Sequence, residues 1–147
     1  MKTAIIYNSE NEENIKIILD AIQEKYPVDL YDAAGDRDYD LRGYDLIGIA
    51  TDVRGSTVDK SIIKTLKNCL PVHKRTFVIY TARSANNHYI KPITECAKGK
   101  NVIVDGIYFC IGSYLSGFSK MFGGKKQSHP NQLELNGALK FYESLIS

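Results

Sequence analysis

Short, nearly continuous apolar runs alternate with amphipathic stretches along this whole chain, and that alternation restricts the folds open to it. Thr3–Tyr7 is the first run. Ile15, Ile18, Leu19 and Ile22 follow at the spacing of one helical face, which predicts a helix from about Asn11 to Lys25, stopped by Pro27. Val28–Tyr31 reads as a second strand and Asp45–Thr51 as a third. Ser56-Thr57-Val58-Asp59 resembles a capping box ahead of a helix with Ile62, Ile63, Leu66, Cys69 and Leu70 on one face, and Pro71 ends it. Arg75–Thr81 is the fourth strand. Proline is tolerated in a first helical turn, so Pro92 predicts a helix starting near Tyr89–Lys91 and ending at Gly99. Val102–Cys110, interrupted by Gly106, is the fifth strand. Asn131-Gln132-Leu133-Glu134 then supplies an N-cap with an acid at the third helical position, opening a last helix.

Strands without apolar–polar alternation are covered on both faces. Strands joined by helical crossovers build a right-handed, doubly wound parallel sheet of the α/β class. The 147 residues suit one domain, 1–147, with no repeat or linker to divide it.

In such sheets ligands bind beyond the carboxyl ends of the strands, where the strand order reverses. The turn after the first strand collects helix N-terminal N–H groups and the positive end of the helix dipole, which favour anions and phosphate above all. Ser9, Asn11 and Asn14 add short polar side chains there. Two more loops, Thr51–Ser56 and Thr81–Asn86, follow the third and fourth strands.

Several other functions are disfavoured. The glycine patterns of dinucleotide and nucleoside-triphosphate loops are missing. Asp36–Asp40 begins like a calcium loop but meets Leu41 and Ile47 where glycine and glutamate are needed. His73, His88 and His129 share no metal-ligand spacing. A formal charge of +2 lacks the concentrated basic face of a nucleic-acid binder. Cys69, Cys96 and Cys110 read as reduced core thiols of a cytoplasmic protein, and no apolar run predicts a membrane span. No acid, base or nucleophile constellation suggests a dedicated catalytic step.

The strand–turn–helix opening, at this chain length, resembles the flavodoxin-like family. Ser9, Asn11, Glu12 and Asn14 stand at the positions of that family's hydroxyl-rich phosphate loop, commonly Ser/Thr-x-Thr-Gly-x-Thr, with Glu10 and Glu13 between them. Phe122–Asn131, which contains Gly123-Gly124 and His129-Pro130-Asn131, is similar to the closing segment Gly-Gly-x-x-Lys-Gly-His-Pro-Asn of a group of short members. The resemblance implies a three-layer fold with five parallel strands in the order 2-1-3-4-5, and FMN as cofactor. It implies a phosphate site at Ser9, Asn11, Glu12, Glu13 and Asn14. The isoalloxazine ring would lie between Thr51, Asp52, Val53, Arg54, Gly55 on one side and Thr81, Ala82, Arg83, Ser84, Asn86 on the other. The implied role is that of an electron carrier of the oxidoreductase type rather than a dedicated enzyme. Its partner would be a redox protein or a small-molecule electron acceptor, with no nucleic acid or membrane, and it would work as a monomer or homodimer.

The loop departs from the family in charge. Asparagine still donates through its amide, but Glu10, Glu12 and Glu13 crowd the same turn. A carboxylate ~6 Å from a phosphate repels it by roughly 1 kcal/mol even when well solvated. A second expectation therefore stands beside the first: a flavodoxin-like module that has lost FMN and serves in binding or regulation. Another phosphorylated or anionic ligand at the same turn is a third. Arg54 and Arg83 near the ring's N1 edge would make a bound flavin's potential less negative than in acidic carriers.

Overall fold

A computed structural model describes residues 1–10, 13–35, 37–112 and 129–147. The chain runs β1 (Thr3–Tyr7), α1 (Glu13–Lys25), β2 (Val28–Asp32), β3 (Leu46–Asp52), α2 (Lys60–Cys69) and β4 (Arg75–Ala82). A 3-10 turn, Asn87–Ile90, then leads into α3 (Lys91–Gly99), β5 (Ile103–Ile111) and α4 (Gln132–Ile146). The five strands form one parallel sheet in the order β2-β1-β3-β4-β5. This is the doubly wound α/β architecture the sequence pattern predicts.

The reason for the unbroken apolar strands is visible in the packing. On one face Ile5, Leu46, Ala50, Phe77 and Ile79 meet Ile15, Ile18, Leu19 and Ile22 of α1 and Ala138, Tyr142 and Leu145 of α4. On the other face Ala4, Ile6, Ile47, Ile49, Val78 and Tyr80 meet Ile62 and Leu66 of α2 and Ile93 and Ala97 of α3. Consecutive strand residues are therefore buried against opposite helical layers, and every position of β3 is buried.

The strand limits differ from the sequence expectation in one consistent way. β2, β3, β4 and β5 each run one residue further at their carboxyl ends, taking in Asp32, Asp52, Ala82 and Ile111. Asp45, expected to open β3, instead accepts the Lys2 N–H at 2.8 Å from outside the sheet. The irregularity in β5 is a bulge at Asp105, since Val104 pairs with Thr76 and Gly106 with Phe77. Asp105 receives the Arg75 guanidinium at that point. The N-cap of α2 is Asp59, whose carboxylate accepts the Ser61 N–H, rather than Ser56. α4 opens with the expected capping box, formed by Asn131 and Glu134. No helix of the described residues is long and apolar enough to cross a membrane.

Candidate functional site

β1 and β3 lie side by side, yet their crossovers leave on opposite faces, to α1 and to α2. The order reverses here, and a crevice opens above the carboxyl ends of the two strands. The first turn of α1 brings its unpaired amides to this crevice, as any helix start does. What meets those amides is a side chain of the protein itself. Asp52, the last residue of β3 and 4% exposed, accepts the Asn14 N–H on Oδ2 at 3.3 Å. It also accepts the Ile15 N–H. Its Oδ1 takes the Thr81 hydroxyl, from the residue paired opposite it on β4. Burial pushes the Asp52 carboxyl above its ordinary pKa; the Thr81 hydroxyl, the Arg54 charge and the two amides pull it back only in part. A carboxylate 38 residues away thus fills the role of a capping acid for α1.

The turn after β1 is pinned on both sides. The Ser9 N–H donates to Asp32 Oδ1 at 3.0 Å, and the Ser9 hydroxyl is held by the same carboxylate. The Ala34 N–H joins them at 2.9 Å. Burial acts to raise the Asp32 pKa, but these donors outweigh it and set it below the ordinary range. On the other side, Asn8 Nδ2 donates to Asp59 at 2.7 Å and to Ser61 Oγ at 2.6 Å, while its Oδ1 accepts the Glu10 N–H at 2.7 Å. Ser9 therefore faces the end of β2. Together with Glu13 it borders a pocket of about 360 Å³ shared with Tyr7, Lys16 and Ile17. Asn11 and Glu12 lie outside the described residues, as does the closing segment up to Ser128. Sequence reasoning missed Asn8, Asp32 and Asp59. The available signals were a polar residue directly after β1 (Asn8), an acid at the carboxyl end of β2 (Asp32) and an acid directly before α2 (Asp59).

The residues expected to embrace a ring fall into two groups. Thr51, Asp52, Val53, Thr81 and Ala82 are buried in or directly against the sheet, and the Val53 N–H donates to the Thr81 carbonyl at 2.7 Å. Arg54, Gly55, Arg83, Ser84 and Asn86 are exposed at the rim. Arg54–Thr57 closes as a tight turn, bridged between its end residues, with φ of 61° at Gly55 and 68° at Ser56. Two positive φ angles in succession are the mark of a type I′ turn, and glycine at the first removes half the strain. Asn86 caps the 3-10 turn by accepting the His88 N–H at 2.9 Å. Its own N–H donates to the Tyr80 hydroxyl at 3.0 Å.

Known structures share this fold. A flavodoxin of Streptococcus pneumonia TIGR4 matches with a TM-score of 0.64 at 11% identity, over 99% of this chain and 98% of that one. A flavodoxin from the domain Archaea matches over 100% of both chains, with a TM-score of 0.60 at 12% identity. The fold is flavodoxin-like. A flavoprotein of Lactobacillus acidophilus, solved in complex with FMN, matches 74% of this chain and 92% of its own, with a TM-score of 0.53 at 20% identity. In sequence, an uncharacterized protein of Methanocaldococcus jannaschii is 28% identical over 148 residues, 99% of each chain. No protein-family model matches.

On this flavodoxin-like scaffold the turn between β1 and α1 meets the needs of a phosphate in one respect and opposes it in another. The donors of the α1 turn are neutral N–H groups at the positive end of a helix, and they already converge on an anionic oxygen, that of Asp52. The donor set suits a phosphate in kind, with the carboxylate as its stand-in. The charge around it is the opposing factor, because Asp52 occupies the amides and Glu10 and Glu13 flank the turn. Among the described residues no group of three or more His, Cys, Asp or Glu side chains is placed to hold a metal ion.

Proposed function

We propose that this chain is a cytoplasmic FMN-binding protein that passes electrons one or two at a time to a redox partner protein or a small-molecule acceptor. The observation that carries this reading is the pair of α1 amides, from Asn14 and Ile15, held on a carboxylate at the switch point of a flavodoxin-like sheet. The same first turn is the position of the phosphate loop in the family the chain resembles. FMN would supply the redox chemistry, and the protein binds and tunes it. The Asn14 and Ile15 amides would hold the phosphate. The Arg54–Thr57 turn and the Arg83–Asn86 loop border the place of the ring. Arg54 and Arg83 bring positive charge to that rim, which favours an anionic reduced flavin. Incubating purified protein with FMN and removing the excess by gel filtration tests the reading. Retained absorption near ~450 nm supports it.

One observation favours a second reading, a binding or regulatory module without FMN. Asp32 and Asp52 hold donors that a phosphate would need, namely both Ser9 groups and two α1 amides. No FMN uptake at tens of micromolar would favour this reading over the first.

A further inference from the structure

We infer that Asp52 makes phosphate capture proton-coupled: the FMN phosphate takes the Asn14 and Ile15 amides as Asp52 takes up one proton and loses its charge. This rests on the FMN reading above. The two amides are the ones Asp52 now occupies, so a phosphate arriving there meets a buried carboxylate directly rather than across solvent. Like charges at that separation do not both persist; one group is neutralised.

The surroundings supply what a neutral Asp52 needs. The proton comes from solvent and adds to Oδ1, which faces Thr81 Oγ1. A hydroxyl both donates and accepts, so the hydrogen bond survives with its direction reversed, Asp52 donating and Thr81 accepting. No bond other than the new O–H forms, and the amides pass to the phosphate. The neighbours on each packed element can be named. β4 presents Thr81, and α1 presents the Asn14 and Ile15 amides with Glu13 just before them. The loop after β3 presents Arg54, whose charge favours the ionised carboxyl and so opposes uptake. The turn after β1 carries Asn8 and Glu10, with Asn8 bound to Asp59. Burial has already moved Asp52 toward protonation, so the additional shift required of the phosphate is smaller.

The test is FMN affinity across pH 5 to 8.5 for the wild-type protein and the Asp52→Asn variant, with riboflavin as the ligand lacking phosphate. The FMN phosphate titrates itself, but equally for both proteins, so their difference isolates Asp52. The wild type should weaken relative to the variant by up to about tenfold per pH unit above the Asp52 transition, and the two should converge at the acid end. Riboflavin should show no such divergence. Calorimetry of the wild type alone at pH 8 to 8.5, where the free FMN phosphate is already a dianion, in buffers of different ionisation enthalpy, should show net proton uptake on FMN binding that riboflavin does not cause; this measurement does not depend on the variant folding. Parallel FMN profiles for the two proteins, or no phosphate-dependent proton uptake, would overturn the coupling and leave the FMN reading standing. Failure of both proteins to bind FMN at any pH would overturn the FMN reading itself, and the coupling with it.

Discussion

Asp52 is held in the fold against its own desolvation, and this has a sign that stability measurements can read. Its folded pKa lies above the unfolded value, so between the two the native state binds more protons. Stability therefore falls as pH rises from the unfolded carboxylate range through the folded pKa. In urea denaturation, the Asp52→Asn variant should lose less stability than the wild type between pH 4 and pH 8. A wild type that gains on the variant over that range would refute the raised pKa. Gly48 carries a different constraint. A Cβ there would stand 2.2 Å from Cζ of Phe77, a ring with no exposure at the centre of the sheet. Overpacking of this kind costs about 1–3 kcal/mol, so Gly48→Ala should lower the melting temperature by several degrees. Asp52 was among the residues the sequence singled out, but for a place beside the ring. Residue order alone does not reveal that β3 runs one residue further and turns this carboxylate onto α1. The partner of Ser9 was not legible for a similar reason. Asp32 is brought to it by the β1–β2 register, which pairs Tyr7 with Asp32, and no local pattern encodes that pairing.

At the scale of elements, helix and strand identities were legible because their periods differ and their caps are local. Pro92 falls at the second residue of α3, where its missing N–H costs nothing. The Asn131 side chain accepts the Glu134 N–H at 2.9 Å, while the Glu134 carboxylate returns to the Asn131 N–H at 3.1 Å. Asn131→Ala should destabilise the protein by about 1 kcal/mol, read by denaturant unfolding. Glu134 also accepts the Ile111 N–H at 3.0 Å, so the box fastens α4 to the end of β5. Burial acts to raise the Glu134 pKa, but His129 and the two amides outweigh it and hold it low. The stability this pairing adds is present above the unfolded carboxylate range and is lost as pH falls through the lower folded pKa. Asp32 plays the corresponding part for the turn after β1. Asp32→Ala should cost about 1–2 kcal/mol after allowance for its partial exposure. It should also speed amide exchange at Ser9 and Ala34, the two N–H groups it holds.

For the whole molecule, the doubly wound parallel layering followed from alternation plus handedness, two properties that need no side-chain detail, whereas the strand order 2-1-3-4-5 came with the resemblance to the flavodoxin-like family. The ligand did not follow. A doubly wound sheet puts a crevice at the switch point whatever binds there, and fold alone does not choose the occupant. The polar groups that bear on that choice come from three separate strand ends: Ser9 after β1, Asp32 on β2 and Asp52 on β3. The acids that the sequence set at the turn were Glu10, Glu12 and Glu13; the one that takes the Asn14 amide is Asp52, from the end of β3. The turn after β1 is proposed to read a phosphate, and equilibrium titration of the wild-type protein with FMN and with riboflavin at pH 6 measures that. FMN should bind at least about tenfold more tightly, a difference of roughly 1.4 kcal/mol. Equal affinity for the two flavins, or tighter binding of riboflavin, would contradict it.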